Sequence, residues 1–429
     1  MMSRGARALR EMYGLTRGLG NLRVLLLSGL LGTLASGLLN PVLPVFLSSR
    51  GLDLQGIGFV FTLASVLPIF AQPVLGTLSD HFGRKRFVVG LSLGTSLLVP
   101  LLGLTANAVA LAAVLSLKLL LVRSASPVSN ALVADFAPPK QRATVFALLD
   151  SATNLTFVAA LVASAAAVRW LSLAGVFFLA GALFLCGSLV LLGLQETEAA
   201  PRPEGKPRAT EALRLAGRGL VAPLEYMRRF PALSGLFVFQ FFFSFALNLY
   251  PIYVPLYATR LGAPQEWVGP LIATSWLVFA FVQPVGGRLS DQLARRGGLI
   301  SAGLAGLVVL SLSLGAVGWL PAPYSLAALA LTWALLAVPD GLFRPSLPAL
   351  FAEVCPREER GRFMGALGAC AALAQMVAPI TYGFVAQHLS LQAAFFLSSG
   401  AFLAALAGMA RVREPSASAP PLQTSTEPV

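Results

Sequence analysis

The sequence predicts an all-α integral membrane protein with twelve transmembrane helices arranged as two pseudo-symmetric six-helix bundles. Three observations lead to this class: long apolar runs, a repeat at about half the chain length, and a regular distribution of basic residues. Hydrophobic residues make up 56% of the 429 residues and charged residues only 11%, against roughly 25% charged in an average soluble domain. Many runs reach the roughly 20 residues that a helix needs to cross a bilayer. Lipid forces such runs to satisfy their backbone hydrogen bonds as helices.

The apolar runs form two sets of six, separated by one polar stretch. The predicted spans of the first half are 22–47, 54–76, 87–105, 108–133, 144–167 and 171–194. Those of the second half are 232–258, 266–287, 298–317, 324–349, 362–387 and 391–410. The resulting division is a cytoplasmic N-terminal segment (1–21), an N-terminal bundle (22–194), a cytoplasmic linker (195–230), a C-terminal bundle (231–412) and a disordered, Pro- and Ser-rich cytoplasmic tail (413–429).

The two halves repeat each other at a fixed spacing. Positions that recur 211 residues later include Pro44, Gly51, Pro73, Gly76 and Asp80, which return as Pro255, Gly262, Pro284, Gly287 and Asp291. Further along, Asp135 is matched by Glu353 at a spacing of 218. Two sets of six spans in parallel orientation imply a pseudo-twofold axis along the membrane normal, with a substrate site near the midplane between the halves.

Basic residues predict the orientation. Of the 31 Lys and Arg residues, 25 fall in the termini, in the even-numbered loops or, as Arg23 and Arg362, within the first two residues of a span that follows one of them, so both termini are predicted to be cytoplasmic. The same clustering between spans argues against nucleic-acid binding as the reason for the net charge of +13. Excess Arg over Lys, with abundant Ala and Leu, is typical of a GC-rich bacterial genome and predicts a multi-pass protein of the bacterial inner (plasma) membrane. Trp170, Trp267 and Trp319 near span ends are predicted interfacial anchors.

The loop after the second span carries a recognisable pattern. The residues that form it are Gly76, Leu78, Asp80, Gly83, Arg84 and Lys85. They resemble the signature loop between helices 2 and 3 of the major facilitator superfamily, and the twelve spans, the duplication and the long linker fit that family over about 20–412. The resemblance implies a secondary transporter rather than an enzyme, with no catalytic residues, cofactor or metal. Within the superfamily the chain is similar to the drug/proton antiporter branch, although Ser126 and Pro127 replace that branch's helix 4 pattern after Arg123.

In that family the signature loop is a cytoplasmic gate. The resemblance implies that Asp80 binds the start of helix 11 in the outward-facing state, and a carboxylate at a helix N-terminus is indeed favourable. The second copy of the loop contributes Asp291 and Arg295, whereas Ala294 replaces its later glycine. The alternative is that Asp80 only forms a turn and a surface ion pair.

Five ionisable side chains lie well inside the predicted spans: Lys118, Arg123, Asp150, Asp340 and Arg344. Charge at membrane depth is costly and marks functional sites. Asp150 and Asp340 are the proton-coupling candidates, because a carboxylate that leaves water takes up a proton more readily. Asp340 and Arg344 are four residues apart and can pair, which favours Asp150 as the carrier and the pair as a gate or substrate anchor.

Lys118 and Arg123 are predicted to hold an anionic group or to act as counter-charges to Asp150. The alternative for Lys118 and Arg344 is that they reach towards the membrane surface or form static pairs.

Polar side chains form stripes at helical spacing in the first and seventh spans. Ser36 and Asn40, with Thr33, share one face, as do Gln240, Ser244 and Asn248. Together with Trp276 these are candidates for lining the cavity that binds substrate. The alternative is that they join helices by hydrogen bonds.

The leading interpretation is a proton-coupled exporter of small amphipathic organic compounds, of the multidrug efflux type, that works by alternating access. Its partners would be a small-molecule substrate, protons and the lipid bilayer, and the chain would act as a monomer. No phosphate-binding Gly-rich loop and no metal-ligand spacing occurs in the sequence. The alternative function is a solute-specific carrier for an organic anion or a sugar-like compound, including an importer.

Overall fold

The computed structural model describes residues 20–105, 107–138, 142–195, 222–293, 296–354 and 360–412. Side chains are described in these ranges except at 70–82, 142–144, 232, 323, 352–353 and 360–361. Residues 1–19, most of the predicted linker (196–221), Arg295 and the predicted tail (413–429) lie outside the described residues. At Gly76 and Asp80 only the backbone is described.

The regular structure of the described ranges is entirely helical. The first half contains α1 (Gly20–Ser49), α2 (Leu54–Phe82), α3 (Arg84–Leu104), α4 (Ala108–Phe136) and α5 (Arg142–Leu192). The second half contains α6 (222–229), α7 (Ser234–Leu247), α8 (Tyr250–Arg260), α9 (Val268–Gln292), α10 (Gly297–Ala316), α11 (Ala322–Phe343), α12 (Ser346–Val354), α13 (Arg360–His388) and α14 (Leu391–Ala410). Short 3-10 turns occupy Pro231–Leu233, Gln265–Trp267 and Val317–Trp319.

Ten of the described helical segments are long and apolar enough to cross a membrane, and Leu54–Ile69 is a shorter apolar helix. This confirms the all-α membrane class. The 48-residue segment Val145–Leu192 is interrupted at Ser172, whose φ of 66° is not helical. That break lies where the sequence predicts the fifth and sixth spans to meet. The count of twelve and the arrangement as two bundles of six stay predictions.

Local sequence explains where several helices begin. Asp53 precedes α2 and its carboxylate accepts a hydrogen bond from the Gly56 amide at 2.7 Å. Asn107 caps α4 by accepting from the amide of Val109 at 2.8 Å, and Ser390 caps α14 by accepting from the amide of Ala393 at 3.0 Å. Such caps satisfy amide groups that have no partner within the helix.

The repeat is visible in the backbone. Gly51, after α1, and Gly262, after α8, have φ values of 86° and 94°, a region that glycine adopts without steric cost. Pro44 and Pro255 lie inside the corresponding helices. Matched helix ends at matched positions agree with two halves built on one plan.

The chain separates into two compact units. The first takes in residues up to 216 together with 263–273, and the second takes in 217–262 with 274 onwards. In the first unit α5 packs against α1 and α3, and α2 packs against α4. In the second, α14 packs against α7 and α10, and α13 packs against α7. The start of α9 therefore belongs to the first unit and the rest of it to the second.

Glycine permits the close contact between α7 and α14. A methyl group built on Gly408 would lie 2.8 Å from the amide nitrogen of Phe239 and 2.9 Å from the carbonyl oxygen of Gly235. Both neighbours are backbone atoms, which cannot rotate away. The two helices can approach this closely because neither has a side chain at the crossing, as is common between helices in membranes.

Replacing Gly408 with alanine should therefore lower the melting temperature of the purified protein. Overpacking of this kind costs about 1–3 kcal/mol, more than the gain of about 1 kcal/mol in helix propensity. Gly400→Ala is the matched control, because Gly400 lies in the same helix and a methyl there meets nothing within 4 Å. Equal melting temperatures for the two variants would contradict the proposed packing.

Candidate functional site

The first unit contains a partly open cavity of about 530 Å³ among α1, α3, α4 and α5. Its hydroxyl and amide lining includes Thr33, Ser36, Ser92, Ser126, Ser129 and Asn130. Aromatic lining comes from Phe146, Phe157 and Phe184. The cavity can therefore offer hydrogen bonds and apolar contact area to one ligand.

Asp150 is the one ionisable residue among the described residues that line this cavity. It reaches the cavity because Phe146, Asp150, Thr153 and Phe157 follow one another on α5 at spacings of three and four residues, which place them on one helical face. Its carboxylate accepts a hydrogen bond from Nδ2 of Asn154 at 3.2 Å, at the long end of the range for such bonds. The side chain is exposed, so the carboxylate remains open to the cavity.

The two basic candidates of α4 lie near this cavity without lining it. The lining residues of that helix include Val122, Ala125 and Ser126, whereas Lys118 and Arg123 are half-buried elsewhere on the helix. Neither is joined to Asp150 by an ion pair within the described residues. Their roles as substrate ligands or counter-charges stay predictions.

Only part of the polar stripe of the first span lines the cavity. Thr33 and Ser36 line the cavity, but Asn40, which is half-buried, is not among the lining residues. In the second unit the stripe on α7 is joined internally: Nε2 of Gln240 donates to Oγ of Ser244 at 3.1 Å, and Nδ2 of Asn248 donates to the carbonyl oxygen of Ser244 at 2.7 Å. These bonds match the predicted shared face.

The predicted pair of Asp340 and Arg344 forms in the second unit. Nε of Arg344 donates to Oδ1 of Asp340 at 2.9 Å and its terminal nitrogen donates to Oδ2 at 2.5 Å, a bidentate arrangement. Asp340 is 8% exposed. The guanidinium also lies over the rings of Phe243 and Phe279, at 5.7 Å and 5.4 Å from their centroids, within the reach of cation–π contacts. Because α11 ends at Phe343, the pair lies at a break between two helices.

Aromatic residues near the predicted substrate stripe are mostly part of the packing. Tyr250 is buried, and its hydroxyl donates to Oγ of Ser311 at 3.1 Å. The hydroxyl of Tyr253, also buried, donates to the carbonyl oxygen of Pro379 at 2.8 Å. By contrast Trp276 is 40% exposed and has an edge contact with Phe279, so its role as a ligand contact stays a prediction.

The described part of the signature loop contains one clear ion pair. Gly83, with φ 91°, separates α2 from α3, and the terminal nitrogen of Arg84 lies 2.6 Å from Oδ2 of Asp135 at the end of α4. Lys85 is half-buried and Asp291, near the end of α9, is exposed. Sequence reasoning missed Asp135 as the partner of Arg84. The available signal was the match between Asp135 and Glu353 in the two halves.

The comparison with known families identifies the chain. The sequence profile described as Major Facilitator Superfamily matches residues 25–314 and 277–428. The chain belongs to this superfamily. Its members are transporters rather than enzymes, and solved structures agree at the level of the fold. The nucleoside transporter NupG superposes with a TM-score of 0.73 at 15% identity, covering 91% of this chain and 98% of that one. A D-xylose–proton symporter superposes with a TM-score of 0.70 at 19% identity, covering 92% and 97%.

Curated relatives match a smaller part of this superfamily member. The multi-drug resistance efflux pump PmrA of Streptococcus pneumoniae is 28% identical over 174 residues, which are 39% of this chain and 42% of that protein. The multidrug resistance protein MdtG of Klebsiella pneumoniae is 29% identical over 159 residues, 36% of this chain and 37% of that protein. The match thus spans about two fifths of the length of these relatives.

A double-mutant cycle at Asp340 and Arg344 should show a measurable coupling in the free energy of unfolding. Arg344→Gln strands a buried carboxylate and should destabilise more than Asp340→Asn, because an unpaired buried charge is the costlier product. The double variant should lose less unfolding free energy than the sum of the losses in the two single variants. We expect a coupling energy near the lower end of about 0.5–3 kcal/mol, because the Arg344 side chain is 39% exposed.

Thermal unfolding of the four proteins in one detergent provides the measurement. Arg260→Gln is a suitable control, because Arg260 is an exposed arginine at the end of α8. Strictly additive effects would show that the two side chains do not stabilise each other.

Proposed function

We propose that this superfamily member exports small amphipathic organic compounds in exchange for protons and works by alternating access. The observation that carries the proposal is Asp150, a carboxylate on the wall of a cavity whose other described lining residues are uncharged. A single carboxylate in such a place can bind either a proton or a basic group of a substrate. The multidrug names of PmrA and MdtG support the substrate class.

Asp340 is assigned a different role. Both of its carboxylate oxygens accept hydrogen bonds from Arg344, whereas Asp150 has one long bond to a neutral amide. Asp340 would have to lose a charged partner before it could exchange protons. We therefore assign proton transfer to Asp150, and assign Asp340 and Arg344 to holding the break between α11 and α12.

Alternating access would move residues 22–194 against residues 231–412. The signature loop, with Asp80, Arg84 and its partner Asp135, would gate the cytoplasmic side, together with Asp291 and Arg295. The basic-residue distribution supports cytoplasmic termini. We propose a monomer in a bacterial inner membrane, on the strength of the sequence composition and the bacterial relatives.

A solute-specific carrier is the second candidate, and the polar lining of the cavity is the observation that favours it. Ser36, Ser92, Ser126 and Asn130 offer hydrogen bonds that a lipophilic drug would not use fully. A polyhydroxylated solute would match more of them, whereas an anionic solute would also have to face the carboxylate of Asp150. Substrate-dependent proton movement distinguishes the two candidates: lipophilic dyes should trigger it for the exporter, and sugars or organic acids for the carrier.

Asp150→Asn should abolish proton-driven accumulation of a lipophilic dye in proteoliposomes, because an amide cannot exchange protons. Exchange of dye for dye without a gradient should persist for an uncharged dye, since the cavity keeps its shape and such a dye has no basic group for the carboxylate to bind. Glu225→Gln is the matched control, because it neutralises an exposed carboxylate on α6 that is not among the residues lining the cavity. Asp150→Glu should recover part of the proton-driven transport. Full accumulation in Asp150→Asn would overturn the assignment of the proton carrier.

A further inference from the structure

A second cavity in the first unit has a different chemistry from the cavity around Asp150. It measures about 570 Å³ and its lining includes Arg169, Trp170, Glu266 and Trp267. Arg169 and Trp170 follow the last residue of the predicted fifth span, and Glu266 and Trp267 begin the predicted eighth span. Tryptophan at span ends is enriched at the level of lipid headgroups, so we expect this cavity to open at the membrane interface.

The cavity lies next to a tight contact between α5 and the start of α9. A methyl group at Gly269 would overlap Oγ of Ser164 and the carbonyl oxygen of Leu161, and Leu161, Val268 and Ile272 form a buried cluster beside them. The lining residues Ala165 and Ala166 follow Ser164 on α5, and Glu266 lies one turn before Gly269. The small side chains of Ala165 and Ala166 therefore leave a groove next to this contact. Arg169 lines the groove from α5, and Glu266 lines it from the 3-10 turn that precedes α9.

The cavity is lined by one basic and one acidic side chain, Arg169 and Glu266, which do not pair with each other. Neither the Arg169 side chain nor the Glu266 side chain has an ion pair or a hydrogen bond to another described residue. Arg169 and the rings of Trp170 and Trp267 are exposed, with the rings 81% and 64% accessible. One cation, one anion and two indole rings thus line the same cavity, and the two charged side chains do not form an ion pair with each other.

We propose that this cavity binds a phospholipid with a primary ammonium and a phosphate in its headgroup. The Arg169 guanidinium would bind the phosphate, for which its planar donors are well suited. The Glu266 carboxylate would accept hydrogen bonds from the ammonium. Trp170 and Trp267 would border the headgroup with their indole rings, which favour this depth, and Ala165, Ala166 and Pro270 would leave room for the upper acyl chains.

The proposal is independent of the transport reaction, so it is tested by binding alone. The full chain is purified and mixed with dioleoyl phosphatidylethanolamine or dioleoyl phosphatidylglycerol, and the lipid retained is measured by native mass spectrometry. The wild-type chain should retain the ammonium lipid over the anionic one. Arg169→Gln should lower its retention about tenfold, which corresponds to the loss of one charge-assisted contact. Glu266→Gln should remove the preference between the two lipids.

Arg260→Gln controls for the loss of a positive charge, because Arg260 is exposed, lies on the same predicted side of the membrane, and is outside the cavity. An unchanged melting temperature checks that each variant is folded. Equal retention by Arg169→Gln and Arg260→Gln would overturn the site. Binding of soluble phosphoethanolamine as tight as that of the phospholipid would overturn the assignment of a membrane lipid as the occupant.

Discussion

Lipid offers no hydrogen bonds to the backbone. This constraint determines how polar side chains are used in this protein. Because each membrane-spanning segment must satisfy its own amides and carbonyls, it must be helical. A helix also offers carbonyl oxygens to hydroxyl side chains one turn later. Ser151, Thr156 and Ser188 donate to the carbonyl oxygens of Ala147, Ala152 and Phe184. Hydroxyl groups can therefore line a cavity in a membrane protein without a second helix to satisfy them.

A carboxylate cannot donate to a helix carbonyl in this way, and the two carboxylates within the spans, Asp340 and Asp150, lie in different environments. Asp340 has a fixed cation one turn away, with aromatic rings against that cation. Asp150 faces a cavity and has only a neutral amide as its side-chain partner among the described residues. A permanently paired carboxylate is a structural element, whereas one that faces a cavity can change its partner during a transport cycle.

The sequence allowed the local part of this arrangement to be predicted. The bonds of Arg344 to Asp340 and of Gln240 to Ser244 both span four residues, so helical periodicity alone brings the partners together. The pairing of Arg84 with Asp135 was not predicted, because it depends on how α3 packs against α4. The bond from the Tyr250 hydroxyl to Ser311 also joins two helices, α8 and α10, and helical periodicity does not predict it. Likewise, which face of α4 carries Lys118 and Arg123 depends on helix rotation, which periodicity does not fix.

The internal repeat preserves the scaffold more than the chemistry. Gly51 and Gly262 keep the same left-handed backbone at the same place in each half. The charged residues do not follow this symmetry: the position 218 residues after Asp150 is Gly368, and the position 218 residues before Asp340 is Val122. Each half needs its glycine turn in order to fold, so the turn occurs once in each half. A charged site does not have to be present in both halves for each half to fold, and the carboxylates Asp150 on α5 and Asp340 on α11 accordingly lie at unmatched positions and in different environments.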